Sequence, residues 1–283
     1  MTLLVKNEED IIRENILFHR ALGVDGFIVT DNNSTDNTVK ILEELKKDGI
    51  PIEIIHEPEV TYYQDVWVDR MIKIARDKYK ADWVINADAD EFWYSVSLDL
   101  KQDISRYGKK CNVLQTFLVN FHPLENRKDF LKSCYFIKRS LRPFEMEELG
   151  ITTNRFGDAC FRSKVIHKTK GYKQISMGNH RVQMKNKKEK FCPYIKPYHY
   201  LVRNYEHFEQ KVIKGGRAFE NYPDKVKGEH WRRWYAMYQQ GKLREAYEKE
   251  FAINSLDKLT NYGIVARDNS VYNYLKRINV ITD

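Results

Sequence analysis

The sequence predicts an α/β fold: a mostly parallel sheet flanked by helices, then mixed strands, then a helical C-terminal subdomain. Three observations predict it. Short apolar strands alternate with amphipathic helices over the first 90 or so residues; the alternation stops after Glu91; and helical periodicity sets in from Arg203. The expected division is a catalytic domain over residues 1–200 and a helical subdomain over 201–283, with no clean linker between them.

Each element follows from its local pattern. Thr2–Val5 reads as a strand, and Glu8–Leu22 as a helix with Ile12 and Ile16 on one face. Gly26–Thr30 is a buried type of strand, and Ser34 looks like the N-cap of a helix running through Val39, Leu42 and Leu45 to Gly49. Pro51–His56 is a third strand. Val68, Met71, Ile72, Ala75 and Tyr79 share one face of a longer helix, and Trp83–Ala87 is a fourth strand. Beyond it, Asn112–Phe121, Cys134–Arg139, Lys164–Lys168 and part of Tyr172–Met184 read as strands with irregular connections. The charge run Lys185–Lys190 reads as an exposed loop.

Composition bounds the class. The chain has 283 residues, 42% hydrophobic and 31% charged, which suits a globular protein and excludes disorder as the default. No apolar run approaches the roughly 18 residues of a membrane span, and the N-terminus does not read as a signal peptide. Cys111, Cys134, Cys160 and Cys192 lack C-x-x-C spacing, so free thiols and a cytoplasmic address are expected. The net charge of +8 is uneven: Phe161–Lys249 holds 22 Lys/Arg against 8 Asp/Glu. Such a segment could face an anionic membrane, an anionic substrate or nucleic acid, or be plain solvated surface.

The chemistry concentrates at strand ends. Trp83-Val-Ile-Asn-Ala-Asp88-Ala89-Asp90-Glu91-Phe92 delivers acidic residues at the carboxyl end of a strand, where open α/β sheets bind ligands. Carboxylates crowded there repel one another unless a cation shares them, and Mg²⁺ or Mn²⁺ takes carboxylate oxygens and bridges to phosphates. A solvated turn with a helix-capping Asp is the plainer alternative. Thr30-Asp31-Asn32-Asn33-Ser34-Thr35-Asp36 and Val5-Lys6-Asn7-Glu8-Glu9 occupy the equivalent positions after two other strands.

Together these segments resemble family-2-type glycosyltransferases, and more closely the branch reading K-N-E…A-L-G-V…D-N-x-S-T-D…D-A-D-E-F, which is related to the family-92 galactosyltransferases. The resemblance is specific over about the first 95 residues. It implies a GT-A (Rossmann-like) fold, a nucleotide-sugar donor, usually a UDP-sugar, and Mn²⁺ or Mg²⁺. By position it implies that Lys6, Asn7 and Glu8 line the nucleotide pocket, that Asp31 and Asn32 meet uridine, and that Asp69 and Arg70 contact the donor. Asp88 would reach ribose or the metal indirectly through the Asp88-Ala89-Asp90 turn, and Asp90 would ligate the metal. Asn32 stands where many relatives carry a second acid.

Further blocks extend it. Ser163-Lys164-Val165-Ile166 through Met177-Gly178-Asn179-His180 matches K-x-I…G-x-H, so His180 becomes a candidate metal ligand. Pro197-Tyr198-His199-Tyr200…Arg203, followed by Lys211, places Arg203 and Lys211 as candidates for donor phosphates. The G-x-x-E-D motif that supplies a general base in many relatives is missing. Asp158 is the leading candidate in its place, with the cluster around Glu145 as a second, and Glu91 is the other expected catalytic residue.

The expected activity is thus metal-dependent transfer of a sugar from a nucleotide sugar to a saccharide or lipid-linked glycan, plausible in surface polysaccharide or lipopolysaccharide synthesis at the inner face of a membrane. Two alternatives stand beside it. A nucleotidyltransferase would carry a Gly-rich phosphate loop where this chain has Lys6-Asn7-Glu8-Glu9. A nucleic-acid-binding protein would show one of the recognised motifs, and none is present; no nucleic-acid partner is expected.

Overall fold

A computed structural model describes residues 1–59, 63–121, 130–149, 162–220, 228–251 and 256–282. The elements, in chain order, are β1 (Thr2–Val5), α1 (Ile12–Ala21), β2 (Phe27–Asp31), α2 (Thr38–Lys47), β3 (Ile52–His56), α3 (Gln64–Asp77), β4 (Trp83–Asp88), β5 (Glu91–Ser95), α4 (Leu100–Gly108), β6 (Val113–Phe117) and β7 (Val119–Asn120). There follow β8 (Tyr135–Ile137), α5 (Pro143–Leu149), β9 (Ser163–Lys168), β10 (Tyr172–Ile175), β11 (Val182–Met184), β12 (Glu189–Phe191), β13 (Ile195–His199), α6 (Tyr205–Glu220), α7 (Glu229–Gln239), α8 (Leu243–Phe251), α9 (Leu256–Asn261), β14 (Val265–Arg267) and α10 (Ser270–Arg277).

The chain forms two compact units, one of Met1–Leu118, Phe161–His199 and Ser270–Asp283, the other of Val119–Cys160 and Tyr200–Asn269. The first is built on a 7-stranded sheet of order β12-β6-β9-β4-β1-β2-β3. Strands β4, β1, β2 and β3 run parallel, as the alternation predicts. Strand β9 is antiparallel to both β4 and β6. The mixed α/β architecture expected from the sequence is the one observed.

The sheet is buried because its strands are apolar on both faces. All five residues of β2 are buried. Helix α3 covers one face with Val68, Met71, Ile72 and Ala75, which join Ile28, Val84, Val113 and Val165 in one core cluster. Burying such side chains stabilises by about 25 cal/mol for each Å² removed from water. Tyr79, expected on the same face, lies past the helix end and is 53% exposed.

Two local expectations are corrected. Ser34 does not cap α2; its Oγ accepts the Asn7 N–H at 2.9 Å, while Asp36 Oδ1 accepts the Thr38 N–H at 3.0 Å. Asn37 stands at the N-cap without a side-chain cap bond, and the carboxylate one residue before it takes the first helical N–H. The run Lys185–Lys190 is not wholly a loop. Glu189–Phe191 pairs in parallel with β6 as an exposed edge strand, and edge strands tolerate lysine because one side of the ladder faces water.

In the second unit, Val202, Phe208, Val212, Trp234, Leu243 and Tyr247 form one core cluster, and Ile137, Leu259, Ile264 and Val265 another around the antiparallel β8–β14 pair. No helix among the described residues is long and apolar enough to cross a membrane.

Candidate functional site

Register brings three polar loops level with one another. Leu4 pairs with Asp88 on one side of β1, and Val5 pairs with Asp31 on the other. The loops that follow are therefore neighbours at the carboxyl edge of the sheet. Chain order reverses between β1 and β4, and such a switch point opens a crevice in doubly wound folds.

The β1 and β2 loops are laced together. Asn7 Nδ2 donates to Thr35 Oγ1 at 3.2 Å, and the Thr35 N–H donates to Asn7 Oδ1 at 2.8 Å. Asn7 itself takes a φ of 56°, in the left-handed region where Asn is among the residues that fit. Lys6 is exposed, with Nζ 3.4 Å from Asn32 Oδ1. Asn32 Nδ2 donates to the carbonyls of Glu57 and Glu59 at 3.2 and 2.8 Å. Asp31 accepts the Ser34 N–H through both carboxylate oxygens at 3.3 Å and is 4% exposed. The Glu8 N–H donates to Thr38 Oγ1 at 2.8 Å.

The acidic turn has an internal cation that sequence reasoning did not single out. Lys164, 2% exposed, reaches Asp88 Oδ2 at 3.1 Å and Glu91 Oε1 at 2.5 Å. Burial opposes the ammonium charge, yet the two carboxylates hold its pKa above the ordinary lysine range. Burial also pushes the Glu91 carboxyl up, to about 7, against the pull of Lys164 and with Asp88 adding to the rise.

Glu91 is fully buried, and its Oε2 accepts from Trp93 Nε1 at 3.2 Å and the Asp88 N–H at 3.4 Å. A carboxylate so enclosed shapes the turn and has no exposed surface to offer a substrate. Ala89 is 3% exposed and contributes its carbonyl to the interior.

The two histidines divide differently from expectation. Strand β13 pairs with β5 so that His199 lies opposite Glu91, and His199 Nε2 comes 3.5 Å from Asp90 Oδ1. His180 follows a short turn of 3₁₀ helix, Met177–Asn179, and its Nδ1 lies 2.7 Å from the Ser163 carbonyl. A carbonyl only accepts, so Nδ1 carries the proton and Nε2 keeps a lone pair. Burial lowers the His180 pKa and favours this neutral ring. Gly178 has a φ of +74°, and a Cβ there would sit 2.7 Å from His180 Nε2. The missing side chain makes room for the imidazole itself.

The remaining candidates have local partners. Asp69 pairs with Lys73 at 2.6 Å along α3, and Arg70 pairs at 2.9 Å with Glu57 in the loop after β3, whose carbonyl accepts from Asn32. Arg203 and Lys211 belong to the second unit, where Arg203 stacks over Phe130 and donates to His207, and Lys211 Nζ donates to the Leu201 carbonyl at 3.3 Å. Glu145 is clasped by Arg139 and Arg142 at 2.8 and 2.5 Å. Asp158 lies outside the described residues.

Among the described residues no three of His, Cys, Asp and Glu enclose a ready-made metal cage. A divalent cation completed by substrate phosphates needs only one or two protein ligands. Asp90 and His199, 3.5 Å apart, supply one carboxylate and one imidazole, while Asp88 pairs with Lys164. The residues present therefore fit a cation of this kind.

Residues 2–259 match the model of glycosyltransferase family 92. Similar solved structures include S. aureus TarS 1–349 in complex with UDP, at 12% identity and a TM-score of 0.40, covering 91% of this chain and 73% of that one. Another is the mannosyltransferase PcManGT from Pyrobaculum calidifontis in complex with GDP-Man and Mn²⁺, at 12% identity and a TM-score of 0.38, covering 100% of this chain and 75% of that one. No curated protein matches the chain significantly.

Proposed function

The chain belongs to glycosyltransferase family 92, and on that footing we propose that it transfers a sugar from a nucleotide sugar, a UDP-sugar by preference, to a hydroxyl of a saccharide or lipid-linked glycan. The observation that carries this reading is the level alignment of the β4, β1 and β2 ends, which sets the acidic turn beside Lys6 and the Asp31–Asn32 pair. The nucleoside would lie against the β1 and β2 loops, with the diphosphate at the turn. TarS is described with UDP and PcManGT with GDP-Man and Mn²⁺, and a ligand of that class is what we propose for this chain.

In this reading Asp90 and His199 hold Mn²⁺ or Mg²⁺ together with the diphosphate. The cation, when bound, neutralises the leaving nucleoside diphosphate as charge develops on it. Lys6 adds an exposed cation at the same edge. Asp88 stays paired with Lys164 and orients the turn, and Glu91 acts as a positioning residue inside it. Asp158 remains the proposed base. The basic stretch Phe161–Lys249 would attract an anionic membrane surface, each well-placed Lys or Arg contributing about 1 kcal/mol.

The test is product analysis with a panel of UDP-, GDP- and dTDP-sugars, with and without Mn²⁺. Release of UDP with a glycosylated product, abolished by EDTA, is the expected outcome. Formation of a nucleotide sugar from a sugar phosphate and a nucleoside triphosphate would favour a nucleotidyltransferase instead.

A further inference from the structure

Beneath the acidic turn lies a buried polar pair on α1. Asn15 and His19 stand one helical turn apart on α1, and neither has any exposed surface. A buried amide and a buried imidazole in an apolar interior are costly unless every polar atom finds a partner. Here each of them does.

Asn15 Nδ2 donates to the Ala89 carbonyl at 2.8 Å and to the Glu91 carbonyl at 2.9 Å. These are the carbonyls on either side of Asp90. His19 Nδ1 lies 2.8 Å from the Asn15 carbonyl and 3.0 Å from Asn15 Oδ1. The Trp93 N–H donates to His19 Nε2 at 2.9 Å. Nε2 is therefore the acceptor and Nδ1 carries the proton, which fixes both the tautomer and the direction of the Asn15 amide. Phe92 stacks on the imidazole and Phe18 meets it edge-on, so the ring cannot turn freely.

The arrangement needs these residue types. One amide group supplies two donors to two carbonyls and an acceptor to the imidazole, and Asp or Leu cannot do all three. We infer that Asn15 and His19 are positioning residues for the cation and diphosphate: they clamp the backbone on both sides of Asp90 and hold its carboxylate in place before a ligand arrives. Lys164 secures the turn by its side chains, and α1 secures it by its backbone. The inference rests on the acidic turn being the cation site.

The test is calorimetric titration of Mn²⁺ into UDP-saturated protein, well below the melting temperature, for wild type, Asn15→Asp, His19→Phe, His19→Gln and Ile16→Ala. Ile16 is buried on the same helix and serves as a control for lost stability alone. Asn15→Asp and His19→Phe should weaken Mn²⁺ binding about tenfold or more. His19→Gln, whose amide oxygen can accept from the Trp93 N–H, should recover most of it, and Ile16→Ala should stay within twofold of wild type. Should Asn15→Asp not fold, the His19→Phe and His19→Gln contrast decides. Wild-type affinity in every folded Asn15 and His19 variant would overturn this inference alone. A wild type that binds no UDP·Mn²⁺ would overturn the functional reading and this inference with it.

Discussion

The two edges of the seven-stranded sheet differ in a way that separates shape from chemistry. At the amino edge, Gly26, Ile52, Trp83, Ile104 and Lys168 line a cavity of about 870 Å³. Acids and bases around it are matched locally, as in the Asp25–Lys101 and Glu53–Lys78 pairs at 2.6 and 2.9 Å. At the carboxyl edge, buried donors, a buried lysine and two histidines converge on one acidic turn. Volume marks where packing is loose; the convergence of costly polar groups marks where the fold has been shaped for a ligand.

The largest expected effect falls on the carboxyl edge. Lys164→Met would leave Glu91 buried beside Asp88 without its cation, and breaking a buried pair from one side costs about 3–5 kcal/mol. Urea unfolding should show a drop of that order. An unchanged midpoint would mean that the turn does not depend on its internal cation.

A comparable change should follow ligand binding. UDP with Mn²⁺ at one hundred times its dissociation constant should stabilise the protein by about 2.7 kcal/mol. Asp90→Ala should abolish that gain, and so should EDTA. Equal stabilisation of the variant would remove Asp90 from the cation site.

Acid should weaken the sheet from within. Burial lowers His19 to about 3 and His167 to about 4, against 6.5 for both unfolded. Both native pKa values are depressed, so the stability they contribute is complete above pH 6.5 and is lost as pH falls toward them. From pH 7 to 5.5 the two rings together should lose about 2–3 kcal/mol, from 1.36 kcal/mol per unit, and Glu91, raised to about 7, offsets part of this because its protonation favours the folded state over the same window. If a variant with both rings replaced by Phe lost as much stability across this window as wild type, the rings would be shown to titrate alike in the folded and unfolded chain. The smallest effect belongs to the amino edge: Ala81→Leu, which fills part of the cavity, should leave UDP·Mn²⁺ affinity within twofold, as a thermal-shift titration would report.

The parallel half of the fold was legible because periodicity is local, and a strand of five apolar residues followed by an amphipathic helix announces itself. The acidic turn was legible for the same reason. The partners of that turn were not. Lys164 lies 76 residues from Asp88 in a strand of mixed polar and apolar residues, and only the antiparallel β4–β9 register brings it near. Asn15 and His19 share a helix with Ile12 and Ile16, whose spacing identifies a buried face without saying what polar group it holds. Position in a motif drew attention to His180, whereas the β5–β13 register sets His199 beside Asp90. The Asn15–His19 spacing of four was a signal available in the sequence, since two polar residues one turn apart on a buried face must satisfy each other or something beneath them.

The most direct measurement is the anomalous signal of Mn²⁺ in crystals grown with UDP. A single peak is expected at the carboxyl edge, about 2.1 Å from an Asp90 oxygen on the scale of hard-cation bonds, with UDP over the β1 and β2 loops. A peak or nucleotide in the cavity at the amino edge, or an ion bound away from Asp90, would contradict it.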